Sequence, residues 1–329
     1  MCSFEKIDRA AKNMVDVSVI IVSYNIFDIL DRCLKSIVEY SSGFSYEIIV
    51  IDNNSAEGDV HTITNKYDCV RLIKNDSNRG FAAANNQGIA IAQGEYILFL
   101  NNDTLFTENS IGMILNDYVR LTGRKGDYFI GCKLLNADGS HQISMFEYDT
   151  LWNCFTENFF LYKLFPRSRT FNKFYYNHIQ ISEPAEVEVV KGAFIFAPLQ
   201  TIRKLGGFDE RFFFYWEETD LCYRLKKLGG RVLYYPCTSI IHLGGISSGE
   251  MPWFVYKNQG RAKIQFYQKH FVGLKFVFAI IFHYTGLLMR IPIYLTGGIL
   301  LLRRAQILKS FFYIRQLVNY PKNIFTDKY

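Results

Sequence analysis

The chain has 329 residues, 49% of them hydrophobic and 21% charged, which excludes wholesale disorder and leaves room for one large domain or two modest ones. The net charge of +6 is uneven: from Lys257 onward 12 Lys and Arg face one acid, Asp327, leaving 25 basic and 30 acidic residues before it. A basic tail on a mildly acidic body points to an anionic partner, membrane lipid or nucleic acid.

The first residues, MCSFEKIDRAAKNM, have no apolar core of signal-peptide length, so no export is expected. VSVIIVSYN (17–25) reads as a buried strand, and residues 26–40 carry apolar side chains at the helical period. YEIIVIDNNS (46–55) is a second strand, 58–67 a short helix, and CVRLIKN (69–75) a third strand. GFAAANNQGIAIAQG (80–94) is an Ala-rich helix with Gly94 as its expected C-cap, followed by the strand YILFL (96–100). Such alternation of uninterrupted apolar strands with helices predicts a parallel sheet covered on both faces. A helix within 107–119 and a strand plus turn over 128–140 follow, then an aromatic, aperiodic stretch (146–184) expected as loops or short helices. VEVVKGAFIFAP (187–198) is strand-like with a kink at Gly192, and 199–211 a short helix and turn. Residues 217–228 form a helix stopped by Gly229-Gly230, and RVLYYP (231–236) another strand, followed by IIHLGGISS. Seven scattered cysteines without a C-x-x-C pair read as reduced thiols in a cytosolic compartment.

Three strands end in polar groups: Ser23-Tyr24-Asn25, Asp52-Asn53-Asn54 and Asn101-Asn102-Asp103. One such end is a turn; three on one sheet edge look like a site, because ligands dock at the carboxyl ends of parallel strands. Glu217, Glu218 and Asp220 fill a helix first turn, where the helix dipole favours acids. They also follow five near-consecutive aromatics, which would screen them from water and raise a carboxyl pKa into the range of a proton acceptor.

VSVIIVSYN, VIDNNS, NRGFAAANNQGI, ILFLNND, GAFIFAP, GGFDERFFFYWEETDLCYRL and HLGGISS occur in that order across residues 16–250. The set resembles glycosyltransferase family 2, and within it the rhamnosyltransferase-like branch. The resemblance implies an α/β GT-A (nucleotide-diphospho-sugar transferase) fold with a mostly parallel central sheet. It divides the chain into an extension (1–15), a catalytic domain (16–256) and a basic, apolar helical tail (257–329). Within the catalytic domain, 16–104 would bind nucleotide and 105–256 acceptor. The implied reaction is inverting transfer from a nucleotide-activated sugar with a divalent metal, Mg²⁺ or Mn²⁺. The usual Asp-x-Asp reads Asn101-Asn102-Asp103 here, so metal contact falls to Asp103. His242 matches a downstream His that contacts metal or diphosphate. Asp52 matches the acid that bonds the nucleobase. Ser23, Tyr24 and Asn25 end the first strand near base and ribose, with Asn54 and Asn102 on neighbouring strand ends. Arg79 and Gly80 lie in the loop passing the nucleotide. The catalytic base matches Glu218, where many relatives carry Asp; because Glu is one methylene longer, Glu217 also stands as a candidate.

Elementary chemistry agrees with these roles. A diphosphate leaving group needs its charge neutralised, and one carboxylate plus one His, completed by waters, suffices for a divalent ion. Inversion needs a base across the anomeric carbon, worth about 10²–10⁴-fold. In the tail, FVFAIIFHYTGLLM (276–289) and IPIYLTGGILLL (291–302) are interrupted by Arg290, with Pro292 and Gly297-Gly298 weakening the run. One or two helices lying in a membrane interface, anchored by basic residues, are expected. Together these features suggest a transferase on the cytoplasmic side of a membrane, acting on a lipid-linked glycan with dTDP-rhamnose or a UDP-hexose as donor.

A catalytically inactive nucleotide-sugar-binding or scaffold protein of the same fold is the alternative, suggested by the reduced Asn-Asn-Asp motif. Nucleic-acid binding is not expected, since the basic residues are interleaved with long apolar runs. Nor is a dehydrogenase, since no glycine follows the first strand.

Overall fold

The computed structural model describes residues 15–56, 58, 60–123, 126–174, 176, 181–244 and 252–319. The expected N-terminal extension through residue 14, the Gly245-Ile246-Ser247-Ser248 end of the His-bearing motif and residues 320–329 lie outside the described residues.

The alternating front of the chain folds as β1 (Val17–Ser23), α1 (Phe27–Tyr40), β2 (Tyr46–Asp52), α2 (His61–Thr64), β3 (Val70–Lys74), α3 (Phe81–Ile91) and β4 (Tyr96–Asn101). The chain continues through β5 (Thr104–Phe106), α4 (Ser110–Thr122), β6 (Tyr128–Leu135), β7 (His141–Gln142), β8 (Met145–Phe146), α5 (Leu151–Asn158) and α6 (Leu161–Leu164). Then come β9 (Ala185–Val187), β10 (Val189–Val190), β11 (Phe194–Pro198), α7 (Leu199–Lys204), α8 (Glu217–Lys227) and β12 (Arg231–His242). Three helices close the chain: α9 (Pro252–His270), α10 (Leu274–Leu300) and α11 (Arg304–Asn319).

The main sheet has the order β3-β2-β1-β4-β11-β6-β12-β5. β3, β2, β1 and β4 are parallel, as are β6 and β12, while β11 and β5 run against their neighbours. Alternate residues of a strand face opposite sides. Val19 and Ile21 accordingly join a core with Leu30, Leu34 and Ile37 of α1, whereas Ile20 joins Ala84 of α3 and Leu221 of α8. Burial on both faces explains why the strands read as continuous apolar runs.

Four local expectations change. Helix α3 ends at Ile91 with Ala92 as its cap, so Gly94 is no C-cap; a Cβ at Gly94 would lie 2.5 Å from the Ser18 amide nitrogen, so a close strand approach demands glycine there. The single strand expected over 187–198 is split among β9, β10 and β11, with Gly192 in the break. The strand expected to stop at 236 runs on to His242, because a register shift between Tyr235 and Ser239 accommodates Pro236. The tail forms three helices, and α10 is continuous through Pro292 and Gly297-Gly298. By length and composition α10 could cross a bilayer, and residue 257 falls inside α9.

Candidate active site

The register of β1, β2 and β4 sets the three polar ends side by side: Ser23 opposite Asp52, and Val22 opposite Asn101. Asn102 Nδ2 donates to Ser23 Oγ at 3.5 Å. Asp52 is buried and accepts from Ser55 Oγ at 2.5 Å; Ser55 Oγ in turn accepts from the Asn25 amide at 2.9 Å. Asn25 and Asn54 both sit at positive φ, 55° and 65°, a region Asn tolerates better than other side chains, so each strand can turn at once into the edge. Asn25 Oδ1 also accepts from the Ala56 amide at 2.8 Å. Tyr24 is half-buried beside them. Asn53 ties in the next loop, donating to the Gly80 carbonyl at 3.1 Å and accepting from Asn75 Nδ2 and the Arg79 amide at 2.9 and 3.5 Å. Gly80 has φ +83°, and a Cβ there would come within 2.5 Å of the Phe213 carbonyl. The Arg79 side chain is exposed beside this edge.

Asp103 and His242, distant in sequence, meet because β5 and β12 pair with His242 opposite Thr104. Asp103 Oδ1 lies 3.3 Å from His242 Nε2, and both side chains are buried. Gln142 decides the tautomer. Its Nε2 donates to Asn136 Oδ1 and the His242 carbonyl, so its Oε1 is left to accept, from Lys191 Nζ at 2.9 Å and from His242 Nδ1 at 2.6 Å. An imidazole carrying its one proton on Nδ1 would turn its Nε2 lone pair toward the Asp103 carboxylate, with Asn101 Nδ2 3.3 Å away. In that form two electron-pair donors face each other, which suits a cation. Among the described residues no group of three or more His, Cys, Asp or Glu could hold a metal, so this pair would need waters and ligand oxygens to complete a shell.

Helix α8 begins abruptly. Tyr215 and Trp216 both hold left-handed φ, 74° and 70°, a conformation costing roughly 1–3 kcal/mol for each non-Gly residue. This entry turns Glu217 inward and Glu218 toward a cavity of about 420 Å³ lined also by Lys191, Trp216, Lys263, His283 and Arg290. Glu218 lines the cavity and Glu217 does not. Each has an Oε2 buried without a hydrogen-bond partner. Burial raises both carboxyl pKa values, Glu217's further through the charge of Glu218, while backbone amides and Lys191 partly counter the rise at Glu218. Lys191 is itself lowered by burial, opposed by its attraction to Glu218 and Asp103, so it links the two carboxylate sites.

Asp220 locks α8 onto α9. It is fully buried and receives Arg224 Nε at 2.7 Å, Lys269 Nζ at 2.6 Å and His270 Nε2 at 2.7 Å. The cavity's far wall is held by Lys263, which pairs with Glu157 and, at 3.2 Å, with Asp149; Tyr267 OH donates to Asp149 at 2.7 Å. Arg290, read as an interruption of the apolar run, is buried: its guanidinium donates to Asn158 Oδ1 at 3.2 Å and to the Glu157 carbonyl at 3.1 Å. Burial, with Lys263 and Arg290 nearby, pushes the His283 imidazole down to about 3, so it is neutral.

Every residue expected at the nucleotide edge, and the Asp103–His242 pair, therefore lie along one edge of the sheet. Glu218 is singled out from Glu217 by the cavity. Gln142, Lys191 and His283 went unseen in the sequence, and Arg290 was seen there as a break in an apolar run. Lys191 left a trace as a lone cation in the apolar run VEVVKGAFIFAP; Gln142 left none.

A partly parallel α/β sheet thus carries polar groups along one carboxyl edge, and a separate cavity holds a buried acid. Residues 18–122 match the model of glycosyl transferase family 2. An N-acetylglucosaminyl-diphospho-decaprenol L-rhamnosyltransferase of Mycobacterium tuberculosis (strain ATCC 25618 / H37Rv) is 27% identical over 251 residues, 73% of this chain and 80% of the relative. Rhamnosyltransferase WbbL of Escherichia coli (strain K12) is 26% identical over 239 residues, 69% of this chain and 83% of the relative. Among solved structures, a mannosyltransferase of Pyrobaculum calidifontis in complex with GDP-Man and Mn²⁺ aligns with 95% of this chain and 88% of its own, with TM-score 0.53 and 14% identity, a likeness of fold. Over residues 18–122 the chain carries the glycosyl transferase family 2 pattern, rhamnosyltransferases are among its relatives, and its fold is GT-A.

Proposed function

We propose that the protein is an inverting, metal-dependent glycosyltransferase moving a sugar from a nucleotide diphosphate to a hydroxyl of a lipid-linked glycan. The observation that carries this reading is the approach of Asp103 Oδ1 to His242 Nε2 at 3.3 Å, with Glu218 on the cavity and Lys191 interacting with both carboxylates. Asp103 and His242 would hold Mg²⁺ or Mn²⁺, which when bound neutralises charge developing on the diphosphate. Ser23, Tyr24, Asn25, Asp52, Asn54, Arg79, Gly80 and Asn102 form the edge that takes the nucleotide. Glu218 accepts the proton of the attacking acceptor hydroxyl; its raised pKa makes it a stronger base than an exposed carboxylate. The hydroxyl oxygen forms the new glycosidic bond as the bond to the diphosphate breaks.

The donor is dTDP-rhamnose or a UDP-hexose, the first suggested by the names of the relatives. The Mycobacterium tuberculosis relative's name also suggests a sugar on a prenyl diphosphate as acceptor. We assign catalysis to residues 16–256, with α9 shared between that unit and the tail. Exposed Val277, Phe278, Ile281 and Leu288 on α10, with Lys275, Arg303 and Arg304 at its ends, suit a basic, apolar contact with the cytoplasmic face of a membrane.

The test is consumption of dTDP-rhamnose, UDP-glucose, UDP-galactose, UDP-GlcNAc and GDP-mannose with Mn²⁺ or Mg²⁺, with membrane extract as acceptor source. Metal-dependent turnover of one donor, lost in Asp103→Ala, is expected. Binding of a donor without turnover in the wild type would overturn the reading in favour of a nucleotide-sugar-binding protein.

A further inference from the structure

Helix α10 has two different faces. Its outer face is apolar and exposed, whereas Ala279, His283, Gly286, Leu287 and Arg290 form a buried stripe at helical spacing. Gly286 allows the close approach: a Cβ there would collide with Asn158 Oδ1 and with the Arg290 guanidinium. Two side chains of that stripe line the Glu218 cavity with unmet chemistry. His283 Nε2 is buried with no hydrogen-bond partner, as is Glu218 Oε2. Among the described residues Arg290 donates to neutral oxygens, those of Asn158 and the Glu157 backbone, and its guanidinium stacks 4.8 Å from the Phe160 ring centre. The nearby Glu157 carboxylate is engaged by Lys263. Among the described residues this buried guanidinium has no carboxylate within ion-pairing distance, the one it influences, Glu157, being held by Lys263, and beside an open cavity it calls for an anion.

We propose that His283 and Arg290 are acceptor-positioning residues: the cavity takes a pyranose whose reactive hydroxyl meets Glu218 and whose phosphorylated end meets Arg290, with His283 bonding a ring hydroxyl. This rests on the transferase reading above and gives the tail helix a second task, reading the acceptor's anionic group. A cavity of about 420 Å³ lies within the roughly 300–1,000 Å³ range of small-molecule sites. The rings of Phe146 and Phe174, stacked 5.8 Å apart on its wall, offer the apolar surface a sugar face requires.

The experiment uses the full chain, its active donor, and two acceptor probes: citronellyl-diphosphate-linked N-acetylglucosamine and octyl N-acetylglucosaminide, which lacks phosphate. Donor hydrolysis without acceptor is measured alongside. The wild type is expected to favour the diphosphate probe. Arg290→Gln should lower kcat/KM for that probe roughly 10- to 100-fold, the loss of one charge-assisted contact, while sparing the octyl glycoside and acceptor-free hydrolysis. Arg290→Lys should recover part of the loss, and His283→Ala should weaken both probes alike. Melting temperatures and intact hydrolysis identify variants that remain folded. Donor turnover by the wild type without preference for the diphosphate probe, or an equal loss on both probes in folded Arg290→Gln, would overturn the assignment while leaving the transferase reading intact. Absence of any donor turnover in the wild type would overturn both.

Discussion

The polar sheet edge proposed for the nucleotide and the cavity proposed for the acceptor are built in opposite ways. At the edge, short polar side chains bond across neighbouring strand ends: Asn25 reaches Ser55, 30 residues away, and Asn75 reaches Asn53, 22 away. Once the parallel strands pair, register alone brings these groups together. In the cavity the links are long-range and charged. Lys263 and Glu157 are 106 residues apart, and Arg290 and Asn158 are 132 apart. The edge belongs to the sheet, while the cavity exists only when the C-terminal helices dock. Damage to the tail should therefore reach acceptor use first and donor binding last.

The widest separation between the two regions is expected from Glu218→Gln. Loss of the base should lower kcat about 10²–10⁴-fold with the donor Kd unchanged, read by steady-state kinetics and by calorimetry of donor binding. A comparable loss of donor affinity would show that cavity and edge are not separable. The same residue sets the pH profile. Burial raises its pKa, so wild-type kcat/KM should rise with pH along a limb lying above the ordinary carboxylate range. That limb should be absent from the residual activity of the Gln variant.

Removing the charge that seats the cavity wall comes next. Lys263→Met would leave Asp149 and Glu157 without their shared cation, and breaking a buried pair in this way costs about 3–5 kcal/mol. Chemical denaturation should show that loss. At temperatures where the variant remains folded, donor binding should persist while transfer falls. A variant as stable as wild type would mean that the Lys263 cluster does not hold the wall.

This contrast also explains what could be read from sequence. The edge was legible because period, strand ends and turn residues are local signals, and Asp52 and Asp103 sit where apolar runs stop. The cavity was not. Arg290 looked like a break in an apolar run, since nothing local says that a cation one helix face away from lipid-like residues turns inward onto α5. A kink at Gly192 was legible from the glycine, but not that the run divides into three strands, with Glu218 packed against the turn there. His242 was found by its surroundings, but its partner Gln142 depends on a two-residue strand with no sequence signature.

A smaller effect separates the two adjacent acids. Burial and the charge of Glu218 raise the pKa of Glu217, so it folds in its protonated form. The stability this gives is complete below the unfolded value, about 4.3, and is lost as pH rises through the folded value. Glu217→Gln removes that dependence. Its melting temperature should match wild type below the unfolded value, exceed it by a growing margin as pH rises toward the folded value, and keep that margin above it. A difference independent of pH would mean that Glu217 is ionised in the folded protein.

The finest test lies back at the nucleotide edge. Ser55 Oγ donates to Asp52 at 2.5 Å and accepts from the Asn25 amide at 2.9 Å, so one hydroxyl aligns two residues assigned to the nucleotide. Ser55→Ala removes both bonds but leaves the strands, and water can reach the half-exposed site, so the loss should be on the order of 1 kcal/mol. If the edge works as a set of short local bonds, that loss should appear as a several-fold higher donor KM, with acceptor KM and melting temperature nearly unchanged. An equal change in acceptor KM would mean that Asp52 and Asn25 communicate with the cavity, and the two regions would then have to be treated as one site.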